Sequence, residues 1–105
     1  MAKFKEDPNY KYEIEEILGI ASPQENLTSN WAKAVLKTLM TTSEGQEEGV
    51  DIRRFDTANQ KCGKGSGIRL TVEEAHNVCN ILLQNGYGSL EILEEEYNKR
   101  KKMFE

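Results

Sequence analysis

At 105 residues the chain has the length of one domain, which excludes the two-domain layout of many enzymes. Hydrophobic residues make up 37% and charged residues 30%, which excludes a disordered chain and implies a modest core that gains from a second copy. The net charge of −4 argues against uniform attraction to a polyanion, yet residues 31–71 carry seven basic against five acidic residues while both flanks are net acidic.

Tyr10, Tyr12 and Ile14 alternate with Lys11, Glu13 and Glu15, a period-2 pattern that predicts a first strand. Ile17, Leu18 and Ile20 prolong it or bend it at Gly19, and a loop follows to about Asn30. Over residues 31–41 a short helix is compatible with propensity, but period 2 separates Trp31, Lys33, Val35, Lys37 and Leu39 from Ala32, Ala34, Leu36, Thr38 and Met40. A second strand is therefore preferred. The Ser/Gly/Glu-rich stretch 42–49 reads as a loop, and residues 50–56 alternate again as a third strand. Residues 57–67 read as a polar, glycine-rich connection before a short strand, Ile68-Arg69-Leu70.

Thr71 and Glu74 have the Thr-x-x-Glu spacing of a capping box, so a helix starts at about Val72. Ala75, Val78, Cys79, Leu82 and Leu83 form one apolar stripe expected to pack on the sheet, and Asn85-Gly86 supplies the stop. Ser89 caps a second helix that carries Leu90, Leu93, Tyr97 and Phe104 on one side, with Glu95/Lys99 and Glu96/Arg100 as i, i+4 pairs. Its acidic start and basic end suit the helix dipole. Strands followed by helices indicate an α+β domain over residues 1–88, with 89–105 as a charged helical tail.

An antiparallel sheet covered on one side presents its other face to solvent or ligand. If Ala32, Ala34, Leu36, Val50, Ile52, Ile68 and Leu70 face the helix, then Trp31, Lys33, Lys37, Arg53, Phe55 and Arg69 lie opposite. Aromatic rings stack on bases and cations neutralise phosphates, so such a face fits a single strand without reading its sequence. A merely solvated basic face is the plainer alternative.

The series Tyr12-Glu13-Ile14, Leu18-Gly19, Trp31-x-Lys33, Asp51-Ile52-Arg53, Gly63-Lys64-Gly65, Ile68-x-Leu70-Thr71 and Glu73-Glu74-Ala75 resembles the positive-cofactor-four transcriptional coactivator family, especially its small bacterial branch, over about residues 10–84. The resemblance implies a whirly-like fold, a curved four-stranded sheet with a C-terminal helix. It also implies a homodimer that binds single-stranded DNA with little sequence preference, in transcription regulation or in DNA replication and repair. By motif position Arg53 corresponds to the family's DNA-contacting arginine, Trp31 and Lys33 to its aromatic-plus-basic second strand, and Lys61 and Lys64 to its basic loop. Asp56 stands where some relatives carry an aromatic, which leaves Phe55 as the nearest stacking candidate.

Catalysis is not expected. The cluster Gly63-Lys64-Gly65-Ser66-Gly67 lacks the Walker spacing, His76 has no nucleophile beside it in sequence, and Glu13, Glu15 and Glu16 read as a solvated strand edge. Cys62 and Cys79 form no Cys-x-x-Cys pair and His76 is the lone histidine, so no metal site or cofactor is expected and the cysteines read as free thiols. No apolar run reaches the roughly 20 residues of a membrane helix, and the first residues lack a signal-peptide stretch. A cytoplasmic protein, nucleoid-associated if bacterial, is the expectation, and Asn26-Leu27-Thr28 is then a plain loop. RNA is a second polymer of the same chemistry, no partner in the transcription machinery is identified, and the alternative is a protein-interaction module that uses the sheet or the C-terminal helix.

Overall fold

The structure, a computed structural model, describes residues 7–23 and 30–104, without the side chains of residues 64–66. Two compact units divide the chain, Met1–Ala75 and His76–Glu105.

Alternation resolves as strand throughout the first unit. Strands β1 (Lys11–Ile20), β2 (Trp31–Thr42), β3 (Gly45–Asp56) and β4 (Lys61–Thr71) form one curled antiparallel sheet in chain order. Two register shifts in β1, between Ile14 and Glu16 and between Ile17 and Gly19, and one between Arg53 and Phe55 of β3 interrupt the ladders. Such irregularities bend and twist a strand locally, as a curled sheet needs. Helices α1 (Val72–Gln84) and α2 (Leu90–Met103) follow the strands, so the fold is α+β.

Both central connections are shorter than composition indicates. The 42–49 stretch is not a loop: β2 and β3 pair down to Thr42 opposite Gly45, which leaves a Ser43-Glu44 turn. Gly45 takes φ +129°, a conformation that side-chain-bearing residues avoid. Asp7 fastens this turn, accepting from the Ser43 hydroxyl at 2.7 Å and the Ser43 amide at 3.0 Å. The 57–67 stretch likewise shrinks to a turn, because β4 begins at Lys61. There Asp56 accepts from the Ala58 and Asn59 amides at 3.0 and 3.2 Å, and Gln60 adopts φ +57°. The Asn26-Leu27-Thr28 loop lies outside the described residues.

The core is small: Ala34, Leu36 and Phe55 cluster, with Cys62 packed against them. Thr38 and Asp51 are buried beside them and satisfy each other, the Thr38 hydroxyl donating to Asp51 Oδ1 at 2.8 Å. Helix α1 starts as its capping box dictates, with the Thr71 amide donating to Glu74 Oε1 at 2.9 Å and the Glu74 amide donating to Thr71 Oγ1 at 3.1 Å. It ends at Gln84, and Gly86 follows at φ +86°. No residue of α1 is buried, and Val78, Leu82 and Leu83 are all exposed.

In the second unit, Ser89 caps α2 by accepting from the Ile92 amide at 3.4 Å. The ion pair formed on this helix is Glu96–Lys99 at 3.2 Å, an i, i+3 contact, rather than the expected i, i+4 pairs. No helix among the described residues is long and apolar enough to cross a membrane.

Candidate nucleic-acid interface

Residues directly opposite on antiparallel strands share a face, so the register decides which side chains meet. Trp31 pairs with Asp56, Lys33 with Arg54, Val35 with Ile52 and Lys37 with Val50. The alternate set pairs Ala32 with Phe55, Ala34 with Arg53 and Leu36 with Asp51. The expected grouping is therefore wrong by one residue on β3. Val50 and Ile52 lie on the Trp31 face, whereas Arg53 and Phe55 lie on the inner face with Ala34 and Leu36. Ile68 and Leu70 of β4 pair with Ile52 and Val50 and join the outer face, while Arg69, opposite Asp51, joins the inner one.

The candidate residues thus divide. Phe55 is 2% exposed, a core side chain that offers no ring to a ligand. Trp31, Lys33, Lys37 and Lys61 fall on the outer face, Lys61 through its pairing with Asp56 opposite Trp31. Arg53 and Arg69 fall on the inner face, and the Lys64 side chain lies outside the described residues.

On the outer face, Trp31 is 37% exposed and the Arg54 guanidinium lies 4.8 Å from its ring centroid. A Cβ on Gly63 would sit 3.2 Å from Trp31 Cζ3, so the bare glycine lets the indole lie against β4. Lys33 is exposed beside Arg54, and Lys61 is exposed at the same end of the sheet. Asp56 is the nearby carboxylate; it is hydrogen-bonded within its own turn, and its charge also acts on Lys61. Its side chain takes an Asn59 Nδ2 hydrogen bond at 2.8 Å, and hydrogen bonds from Asn59 hold its carboxyl below the usual range. Arg54 was missed by sequence reasoning, since only the pairing of Lys33 with position 54 exposes it.

Lys37 is placed differently. It pairs with Glu48 at 3.1 Å, and that hydrogen bond and charge, with Glu15 behind them, raise its pKa. The acidic residues of 42–49 therefore do not sit apart from the basic ones. Glu48 neutralises Lys37, and Glu47 binds Arg69 at 2.8 Å through its carboxylate and again at 2.8 Å through its backbone carbonyl.

The inner face opens into a cleft of about 700 Å³ whose lining includes Tyr12, Met40, Arg53, Gly67 and Arg69. Its two guanidinium groups face the carboxylates of Glu47, Asp51 and Glu74, so the cleft carries no net attraction for a polyanion. The Arg53 guanidinium lies 5.4 Å from the Tyr12 ring centroid, and the Tyr12 hydroxyl donates to Asp51 Oδ2 at 2.8 Å. Burial pushes the Cys62 thiol up against the pull of Arg53.

Burial, and then the bond to Asp51 and its charge, raise the Tyr12 phenol above its ordinary value. A raised folded-state pKa gives stability that is complete below the unfolded value of about 10 and is lost as pH climbs past it. The stability gap between the native chain and Tyr12→Phe is accordingly expected to stay constant from pH 8 to about pH 10 and to narrow from there to about pH 11 in urea titrations. A gap that stays constant through that last step would exclude this linkage.

Neither protein-family models, nor curated proteins, nor solved structures yield a match to this chain.

Proposed function

We propose that this protein binds single-stranded nucleic acid, DNA foremost and RNA by the same chemistry, through the outer-face patch of Trp31, Lys33, Arg54 and Lys61. One observation carries this reading: an exposed indole stacked on a guanidinium, with two exposed lysines at the same end of the sheet, three cations against the one carboxylate of Asp56. Bases stack on rings and on guanidinium planes without regard to sequence, while Lys and Arg displace counterions from phosphates. The resemblance to the positive-cofactor-four coactivators supports the same reading and adds a homodimer, with a role in transcription regulation or DNA replication and repair, in the cytoplasm or on the nucleoid. It differs in the arginine it favours, since Arg53 lies on the inner face and Arg54 on the patch.

Removing a phosphate contact lowers the salt dependence of single-strand binding by about 0.7 of a unit of log–log slope. Lys33→Ala and Arg54→Ala are each expected to do so for a labelled single strand, whereas Arg53→Ala leaves the slope unchanged. A slope reduced only by Arg53→Ala would move the binding path to the inner cleft.

A further inference from the structure

We propose that the His76–Glu105 unit is a self-association surface on which α2 of a second copy of this chain docks antiparallel, about a two-fold axis near Tyr97. This deepens the homodimer reading by naming its interface, and its test uses no nucleic acid, so either can fail without the other.

Three observations converge. First, α2 buries no residue, and Leu90, Leu93, Tyr97 and the C-cap Phe104 form one stripe with the 3,4 spacing of a helix seam, while Ile92 and Met103 lie off it. Leu90 is 85% and Phe104 89% exposed, values that belong to a surface awaiting cover. Second, α1 and α2 enclose a groove of about 540 Å³, to which Cys79 and Leu83 contribute from one helix and Leu93, Tyr97 and Phe104 from the other. A 14-residue helix pair offers little area alone, and this groove supplies the remainder.

Third, charge selects the occupant. The acidic residues of α2, Glu91 and Glu94 to Glu96, occupy its first half, and the basic ones, Lys99 to Lys102, its second. The helix is therefore complementary to its own reverse. Antiparallel docking sets each acidic half against the other copy's basic half and opposes the two helix dipoles, whereas parallel docking aligns like blocks. Leu90 and Phe104 lie seven residues either side of Tyr97, so each meets the other across the axis. Glu94 and Lys101 flank the same side of the stripe, which places Glu94 of either chain beside Lys101 of the other. An isologous contact repeats every such pair twice.

Sedimentation equilibrium of the full chain over a micromolar range tests this. The native chain is expected to dimerise and Tyr97→Asp to remain monomeric, with circular dichroism verifying that this exposed position leaves the fold intact. Glu94→Lys or Lys101→Glu alone turns two attractions into two repulsions and is expected to weaken the dimer about tenfold or more. The double variant on one chain, and the mixture of the two single variants, restore opposite charges and are expected to return to within about threefold of the native affinity. A monomeric native chain overturns the proposal. So does a dimer indifferent to Tyr97→Asp, which would place self-association on another surface, and so does a double variant no tighter than the singles, which would exclude the antiparallel pairing.

Discussion

Asp51→Ala is expected to cost about 3–5 kcal/mol of folding stability, the range for removing one member of a buried charged pair. Asp51 is 3% exposed and holds three groups in place. The Tyr12 and Thr38 hydroxyls each donate to it at 2.8 Å, and Arg69 Nε approaches to 3.6 Å, too long for a hydrogen bond but close enough for ionic attraction. Alanine leaves a fully buried Thr38 hydroxyl without its acceptor and takes the buried carboxylate from beside Arg69 Nε, so that Glu47 alone still pairs with Arg69. Because a domain is stable by only about 5–15 kcal/mol, this is a large fraction of the whole. Asp51→Asn keeps the shape and one acceptor and is expected to fall between. Urea titration should show a lower midpoint with an unchanged slope, and a midpoint shift worth under about 1 kcal/mol would mean that water replaces the carboxylate.

The second large effect is on binding. Trp31→Ala removes the exposed indole of the outer patch and with it a base-stacking contribution of about 1–3 kcal/mol, which is roughly a five- to 150-fold loss of single-strand affinity. The substitution also strips Arg54 of the ring that orients it at 4.8 Å, so part of the loss travels through the guanidinium. Trp31→Phe retains a ring and is expected to recover most of the affinity. With Ala34, Leu36 and Phe55 untouched in the core, the variant should unfold near the native midpoint. Full affinity in Trp31→Ala would remove stacking on this residue from the mechanism.

Local signals were the most legible. The Thr71–Glu74 box, the Gly86 stop and the Ser89 cap each rest on residues within four positions of one another, so a sequence window contains the whole interaction. The alternation of β2 was equally plain, since Ala32, Ala34, Leu36 and Thr38 are its buried face. The phase of β3 against β2 was not. It is set by closure of the hairpin at Ser43-Glu44, and a shift of one residue exchanges the two faces. Val50 and Ile52 look like core beside the charged Asp51 and Arg53, yet Asp51 is the buried one because Tyr12 and Thr38 satisfy it from neighbouring strands. No window around residue 51 contains those partners. The lengths of β3 and β4 were obscured for a related reason. Gln46, Glu47, Glu48 and Gly63 are poor strand formers by composition, but the ladders to β2 and β3 hold them extended.

The candidate site follows the same division. Trp31, Lys33 and Lys61 are legible as exposed aromatic and basic residues, and the register brings them to one end of the outer face. Arg54 enters only through its pairing with Lys33, and Phe55 leaves because its partner Ala32 is in the core. Lys37 and Arg69 lose their value as phosphate contacts once Glu48 and Glu47 are strand residues that reach them.

The most direct measurement is fluorescence anisotropy of a labelled single-stranded oligonucleotide, with the duplex of the same sequence as control, at two salt concentrations. Binding that prefers the single strand and weakens steeply with salt is the predicted result, since three outer-face cations displacing counterions give a log–log slope of about −2. Absence of binding at low salt, or equal and salt-insensitive binding to strand and duplex, would contradict a single-strand interface on this sheet.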